Sequence, residues 1–187
     1  MSERPYVHVD SVDDLRAWLG ANHEASTGAL LVTWKKDRGP YVSWAEVVPE
    51  LLAFGWIDSK AMKFDEDRRA LTITPRKPKS EWSRRNKEIV ETLTAEGRMT
   101  PAGQAMVDLA KETGTWSALD HVEALEEPPE LAAALDAVSA ARENWDAFPR
   151  SAKRLALMTL HQAKRPETRA KRVAEIAEKA SRNERIG

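Results

Sequence analysis

The densest chemistry lies in Thr74 to Glu88, TPRKPKSEWSRRNKE. Between Pro75 and Lys87 six bases (Arg76, Lys77, Lys79, Arg84, Arg85 and Lys87) face one acid, Glu81, in a chain whose formal net charge is -1. Pro75 and Pro78 favour extended backbone, so these side chains do not simply disperse around a helix. A helix starting at Ser80 would point free N–H groups and its positive dipole end into the same region. Arg76, Lys77, that helix start and the Trp82 face suit a phosphate or carboxylate joined to a flat ring, the form shared by nucleotides and single-stranded nucleic acid. The competing reading is a solvated basic loop that pairs with acids elsewhere in the chain.

GWIDS, residues 55–59, offers the best candidate for catalysis. On a strand, alternation places Trp56 and Asp58 on one face. Asp58 is then the candidate general acid or base, its pKa set by neighbours such as Lys35, Lys60 and Arg76. A structural aspartate paired with one of those cations is the alternative. The ligand-binding set read from both stretches is Lys35, Trp56, Arg76, Lys77, Ser80, Trp82 and Asn86. The bases would hold an anion, the indoles would stack, and Asp58, Ser80 and Asn86 would orient the ligand. A second basic run, Lys164 to Arg172, spaces Arg165, Arg169 and Arg172 along one helical face. That stripe suits nucleic-acid phosphate, an acidic segment of the same chain, or plain solvation.

Other chemistries find little footing. His8, His23, His121 and His161 are scattered without metal-ligand spacing, and Asp65-Glu66-Asp67 lacks the glycine of a calcium loop. No metal or cofactor is implied. There are no cysteines, so thiolate chemistry and disulfides are excluded. No Gly-rich phosphate loop or nucleophile elbow is present.

These residues must be positioned by a mixture of helices and short strands. Ser11 caps a helix carrying Val12, Leu15, Trp18 and Leu19. Ala29 to Lys35 reads as a buried strand. Ser43 with Glu46 forms a capping box for a helix that Pro49 should kink or delay and Gly55 ends. Trp56 to Lys60 and Ala70 to Thr74 read as two further strands around a charged loop. From Ser80 the pattern is helical, with Trp82, Ile89, Val90 and Leu93 on one face. Thr100-Pro101 opens another helix. Six acids and no base lie between Asp120 and Asp136. Later helices place Leu131, Leu135 and Val138 together, then Leu155 and Met158 inward after a Ser151 cap, then Val173 and Ile176 inward after Pro166. The expectation is an α+β fold: a small antiparallel sheet of about three strands packed with helices, then an all-helical C-terminal half. The domains would be 1–116, an acidic linker 117–130, and 131–187. With 42% apolar residues the chain has material for a real core. It has no membrane-length apolar run and no apolar signal core in MSERPYVHVD, so a soluble, cytoplasmic protein without membrane insertion is expected.

The ordered motifs FGWIDS, TPRKPKSEWSRRNKE and EGRMTPAG, with NHEASTGALLVTWKK upstream and AKRPETRAKR downstream, resemble the bacterial YdeI/OmpD-associated, or bacteriocin-protection, proteins. The resemblance implies a role in stress or antimicrobial-peptide tolerance and attaches no reaction or cofactor. The combined expectation is a binding protein for an anionic small molecule or nucleotide. The alternatives are an enzyme using Asp58, and a nucleic-acid-binding protein, which the near-neutral charge disfavours.

Overall fold

In the computed structural model, which describes residues 4–186, the chain divides into two compact units, Met1–Ala118 and Leu119–Gly187. The first unit begins with β1 (Tyr6–His8) and α1 (Val12–Asn22). The Ser11 hydroxyl accepts from Asp14 N at 3.1 Å, and the Asp14 carboxylate accepts from Ser11 N at 2.9 Å, so α1 starts in a reciprocal cap. The helix returns the chain to β2 (Ala29–Trp34), parallel to β1. Next comes α2 (Trp44–Ala53), capped by Glu46 accepting from Ser43 N at 2.8 Å. It starts at Trp44 and continues through Pro49, so the delayed start is not seen. β3 (Trp56–Lys63) and β4 (Arg68–Pro75) form an antiparallel hairpin with a bulge between Asp58 and Ala61.

The sheet has four strands in the order β1-β2-β4-β3, and it is mixed rather than antiparallel. The additional strand spans only three residues, too few to show an alternation in sequence. Both hairpin strands run longer than expected, into the charged residues that read as loop. Leu31 pairs with Leu71, and Ala29 with Ile73, and these four join Leu15, Leu19, Leu51, Leu52 and Trp56 in one buried core.

The remaining helices of this unit are α3 (Arg84–Ala95) and α4 (Pro101–Glu112). α3 begins four residues later than the Ser80 start expected from sequence. Ser83 is the cap, its hydroxyl accepting from Asn86 N at 3.3 Å. Ser80 N instead closes a turn on Lys77 O at 2.9 Å, and Trp82 N donates to Thr115 O at 3.3 Å. Trp82 is therefore buried from a loop, not from the helical face that carries Val90 and Leu93. α4 is fastened to the end of α2 by Thr100, whose N and hydroxyl both donate to Ala53 O, at 3.1 and 2.6 Å. A Cβ on Gly103 would lie 2.2 Å from that same oxygen, so only glycine permits the approach.

The second unit holds α5 (Asp120–Glu123), α6 (Pro129–Asp136), α7 (Ser139–Ala147), α8 (Arg150–His161) and α9 (Pro166–Ser181). Val122, Leu131, Leu135, Trp145, Leu157, Leu160, Val173 and Ile176 form its core. Leu155, expected inward, is 43% exposed, and Val138 is 45% exposed. The phase of α8 is set instead by Ala156, Leu157 and Leu160. Pro149, not Ser151, occupies the cap of α8. The stretch 117–130, expected to be a linker, contributes Val122 to this core and most of its acids to ion pairs. Glu123 pairs with Arg154 at 2.6 Å, Glu127 with Arg142 at 2.9 Å, and Glu130 with Arg169 at 2.6 Å. Glu127 also accepts from the Trp145 indole at 2.7 Å. The acidic run thus answers the basic helices of its own unit. Among the described residues no helix is long and apolar enough to cross a membrane.

Candidate anion-binding site

Arg76 leaves the end of β4 with its backbone N donating to Gly55 O at 2.9 Å, which continues the hairpin ladder by one pair. Its side chain is buried, only 4% exposed. The guanidinium carbon lies 3.7 Å from the centre of a Trp82 ring, a stacked cation–π contact. Nη2 donates to Glu81 O at 2.6 Å, but buried Nε and Nη1 have no hydrogen-bond partner. Burial pulls the Arg76 pKa down to about 10, against the opposing pull of Asp58. A guanidinium keeps five donor hydrogens in a fixed plane, so leaving two nitrogens unanswered in the interior is costly.

Asp58 sits half-buried on β3, opposite Ile73 and immediately before the bulge. Desolvation raises its carboxyl above the ordinary carboxylate range, while its own backbone N–H and the charge of Arg76 act the other way. Asp58 accepts no hydrogen bond from Arg76, so the two charges sense each other without forming a pair. Lys77 and Lys79 lie exposed on the loop beyond Arg76, Ser80 is half-buried in its turn, and Asn86 occupies the first turn of α3. Arg76, Lys77, Ser80, Trp82 and Asn86 are therefore gathered along one short segment, with Asp58 within electrostatic reach.

Two residues of the expected set stand apart. Lys35 donates to the carbonyls of Asp65 and Glu66, at 3.3 and 2.5 Å, latching the hairpin turn. That turn lies at the opposite end of β4 from Arg76, roughly 25 Å away at the usual strand rise. Trp56 is 1% exposed, its indole donating to His23 O at 3.3 Å and meeting Trp18 edge-on at 5.6 Å. It is a core residue with no face open to a stacking ligand. Trp82 is equally buried, and its neighbours account for it: Arg76 over one ring, and Trp116 at 5.1 Å. The ammonium groups of Lys87 and Lys111 in turn lie 5.5 and 5.4 Å from Trp116. Cations and indoles thus alternate in a ladder from Arg76 to α4.

Sequence reasoning missed Trp116, which read only as the boundary between the first domain and the acidic linker. It also missed Glu50, 1% exposed and clamped by Arg16 at 2.7 Å and by Arg98. A lone acid in the apolar run VVPELLAF was the available signal, since a buried carboxylate requires cationic partners.

Residues 7–106 match the family model described as Domain of unknown function (DUF8412), and residues 124–183 match the model described as Bacteriocin-protection, YdeI or OmpD-Associated. The chain belongs to the DUF8412 family by its first unit, and its helical unit is a YdeI/OmpD-associated domain. The match that carries the YdeI/OmpD description covers the helical unit and the AKRPETRAKR motif. FGWIDS and TPRKPKSEWSRRNKE, and with them Asp58 to Asn86, fall under the other model. The candidate site therefore lies outside the segment that the bacteriocin-protection description covers. No match was found among curated proteins or among solved structures.

Proposed function

We propose that this protein binds a small anionic molecule, a phosphate or carboxylate compound such as a nucleotide, at the Arg76 end of the sheet. The observation that carries the reading is the buried Arg76 guanidinium with Nε and Nη1 unpartnered, countered only by an unpaired, half-buried Asp58. A positive charge held this way is stabilised by any anion that can reach it, and a ligand that binds only the folded state raises stability. Exposed Lys77 and Lys79 attract the ligand, and Ser80 and Asn86 supply neutral polar contacts at the rim. The indole of Trp82 acts as the platform that fixes the guanidinium and not as a stacking partner, because its faces are already occupied. Entry requires the 77–81 turn to yield. A cytoplasmic setting is part of this reading, and a role in stress or bacteriocin tolerance enters it through the family resemblance alone.

The test is a thermal-shift panel of pyrophosphate, citrate and adenosine nucleotides at low ionic strength. The expected result is a saturable rise in Tm for at least one anion that fades with added salt, is weakened about tenfold by Lys77→Glu, and is lost in Arg76→Gln. Lys77 is exposed, so its variant reports on binding even where Arg76→Gln folds poorly. No shift with any anion refutes the reading.

The raised carboxyl of Asp58 favours a second reading, in which it serves as an acid or base. A ligand identified in the panel would then be consumed by the wild-type protein and persist with Asp58→Asn, whose melting temperature is retained.

A further inference from the structure

The first unit contains a groove whose lining includes neither Arg76 nor its turn. α3 and α4 line a groove of about 480 Å³ whose apolar floor includes Val90, Val107 and Trp116, and whose rim includes Lys111, Glu91 and Gln104. That volume falls within the usual range of small-molecule sites, roughly 300–1,000 Å³. Val90 and Val107 are 4% and 2% exposed, so the floor is fixed by the core beneath it. Trp116 is only half-buried, and Lys111 Nζ lies 5.4 Å from its ring centre. Among the described residues Lys111 makes no ion pair. The groove therefore combines an apolar strip with one cation that has no carboxylate to answer it. Glu91 on the same rim is likewise unpaired, which sets a limit on how much negative charge the groove tolerates.

We propose that this groove binds an amphipathic organic monoanion. Its apolar body lies along Val90, Val107 and Trp116, and its carboxylate or sulfonate head meets Lys111. Burial of alkyl groups supplies affinity that grows with chain length, and the ammonium selects the charged head over a neutral one. Glu91 repels a second negative charge, so a molecule ionised at both ends is disfavoured. This separates the groove from the Arg76 turn, where multiply charged anions are favoured, and the proposal does not depend on that site.

The experiment is a calorimetric titration of decanoate, below its micellar range and at low ionic strength, into the full chain. The expected result is saturable one-to-one binding, weakened about tenfold by Lys111→Gln, with decanol and decanedioate each binding about tenfold more weakly than decanoate. Thr94→Trp, which fills the groove from an exposed position on α3, is expected to abolish binding. Lys77→Glu, an exposed change remote from the groove lining, is expected to bind decanoate normally while binding pyrophosphate about tenfold more weakly. Absence of saturable heat overturns the proposal, as does an affinity unchanged in Lys111→Gln. Decanol binding as tightly as decanoate also overturns it, since the cation would then play no part. Lys111 is a surface residue, so its variant decides the matter even if Thr94→Trp fails to fold.

Discussion

Replacing Asp58 by asparagine separates its charge from its shape. A carboxyl whose folded-state pKa lies above the unfolded value binds its proton more tightly when folded. Its contribution to stability is complete in acid and is lost as pH rises through the folded value. Asp58→Asn removes that loss, so at about pH 7 the variant should melt as high as wild type or about 2 °C higher, with the difference closing toward pH 4. Thermal melts across that pH range check the sign; a lower Tm at neutral pH would make Asp58 an essential counter-ion of Arg76. Glu50 behaves oppositely. Its carboxylate is clamped by Arg16 and Arg98, so Glu50→Gln should destabilise by about 2 kcal/mol in urea unfolding. Asp58 and Arg76 were legible because charge beside an indole stands out locally. Glu50 was not, because its partners lie 34 and 48 residues away and nothing nearby in the sequence points to them.

Among the elements, capping chemistry decides where α3 starts. Ser80 and Ser83 both have the composition of an N-cap, and the sequence pattern favoured the earlier one. Placing Trp82 under Arg76, with its backbone tied to Thr115, holds residues 80–82 out of the helix and leaves Ser83 to cap it. Ser83→Ala should cost about 1 kcal/mol and Ser80→Ala much less, by chemical denaturation. A larger cost at Ser80 would return the helix start to the position expected from sequence. The α2–α4 junction makes a second demand. Gly103→Ala would drive a methyl into Ala53 O, so a loss of about 1–3 kcal/mol is expected, with both helices retained by circular dichroism. The Ser11 cap, the Ser43–Glu46 capping box, the strand that begins at Ala29 and the proline-initiated α4 were legible from local pattern alone. β1 and the hairpin extensions were not, because ladder pairing stabilises them and their residue types do not.

At the scale of the whole molecule, the formal charge of -1 conceals two local imbalances. The acidic run of the second unit is largely spent on Arg142, Arg154 and Arg169; of the stripe that suggested nucleic-acid contact, Arg169 is taken by Glu130 and Arg172 donates to Thr159 O. Acids do not answer the basic stretch of the first unit as fully. Arg84 pairs with Glu88, but Arg76 is buried with two nitrogens unmet. The sequence revealed an excess of charge beside an indole, but not that the indole would be sealed beneath the guanidinium. Stacking of the two depends on where α4 and the Thr115 carbonyl lie in space. The account rests on that guanidinium being available to an anion. The direct measurement is the ¹⁵N-edited resonance of the Arg76 Nε–H group during titration with pyrophosphate, compared with sodium chloride at equal ionic strength. A saturable shift specific to pyrophosphate is predicted; a resonance that responds no differently to the two salts would contradict it.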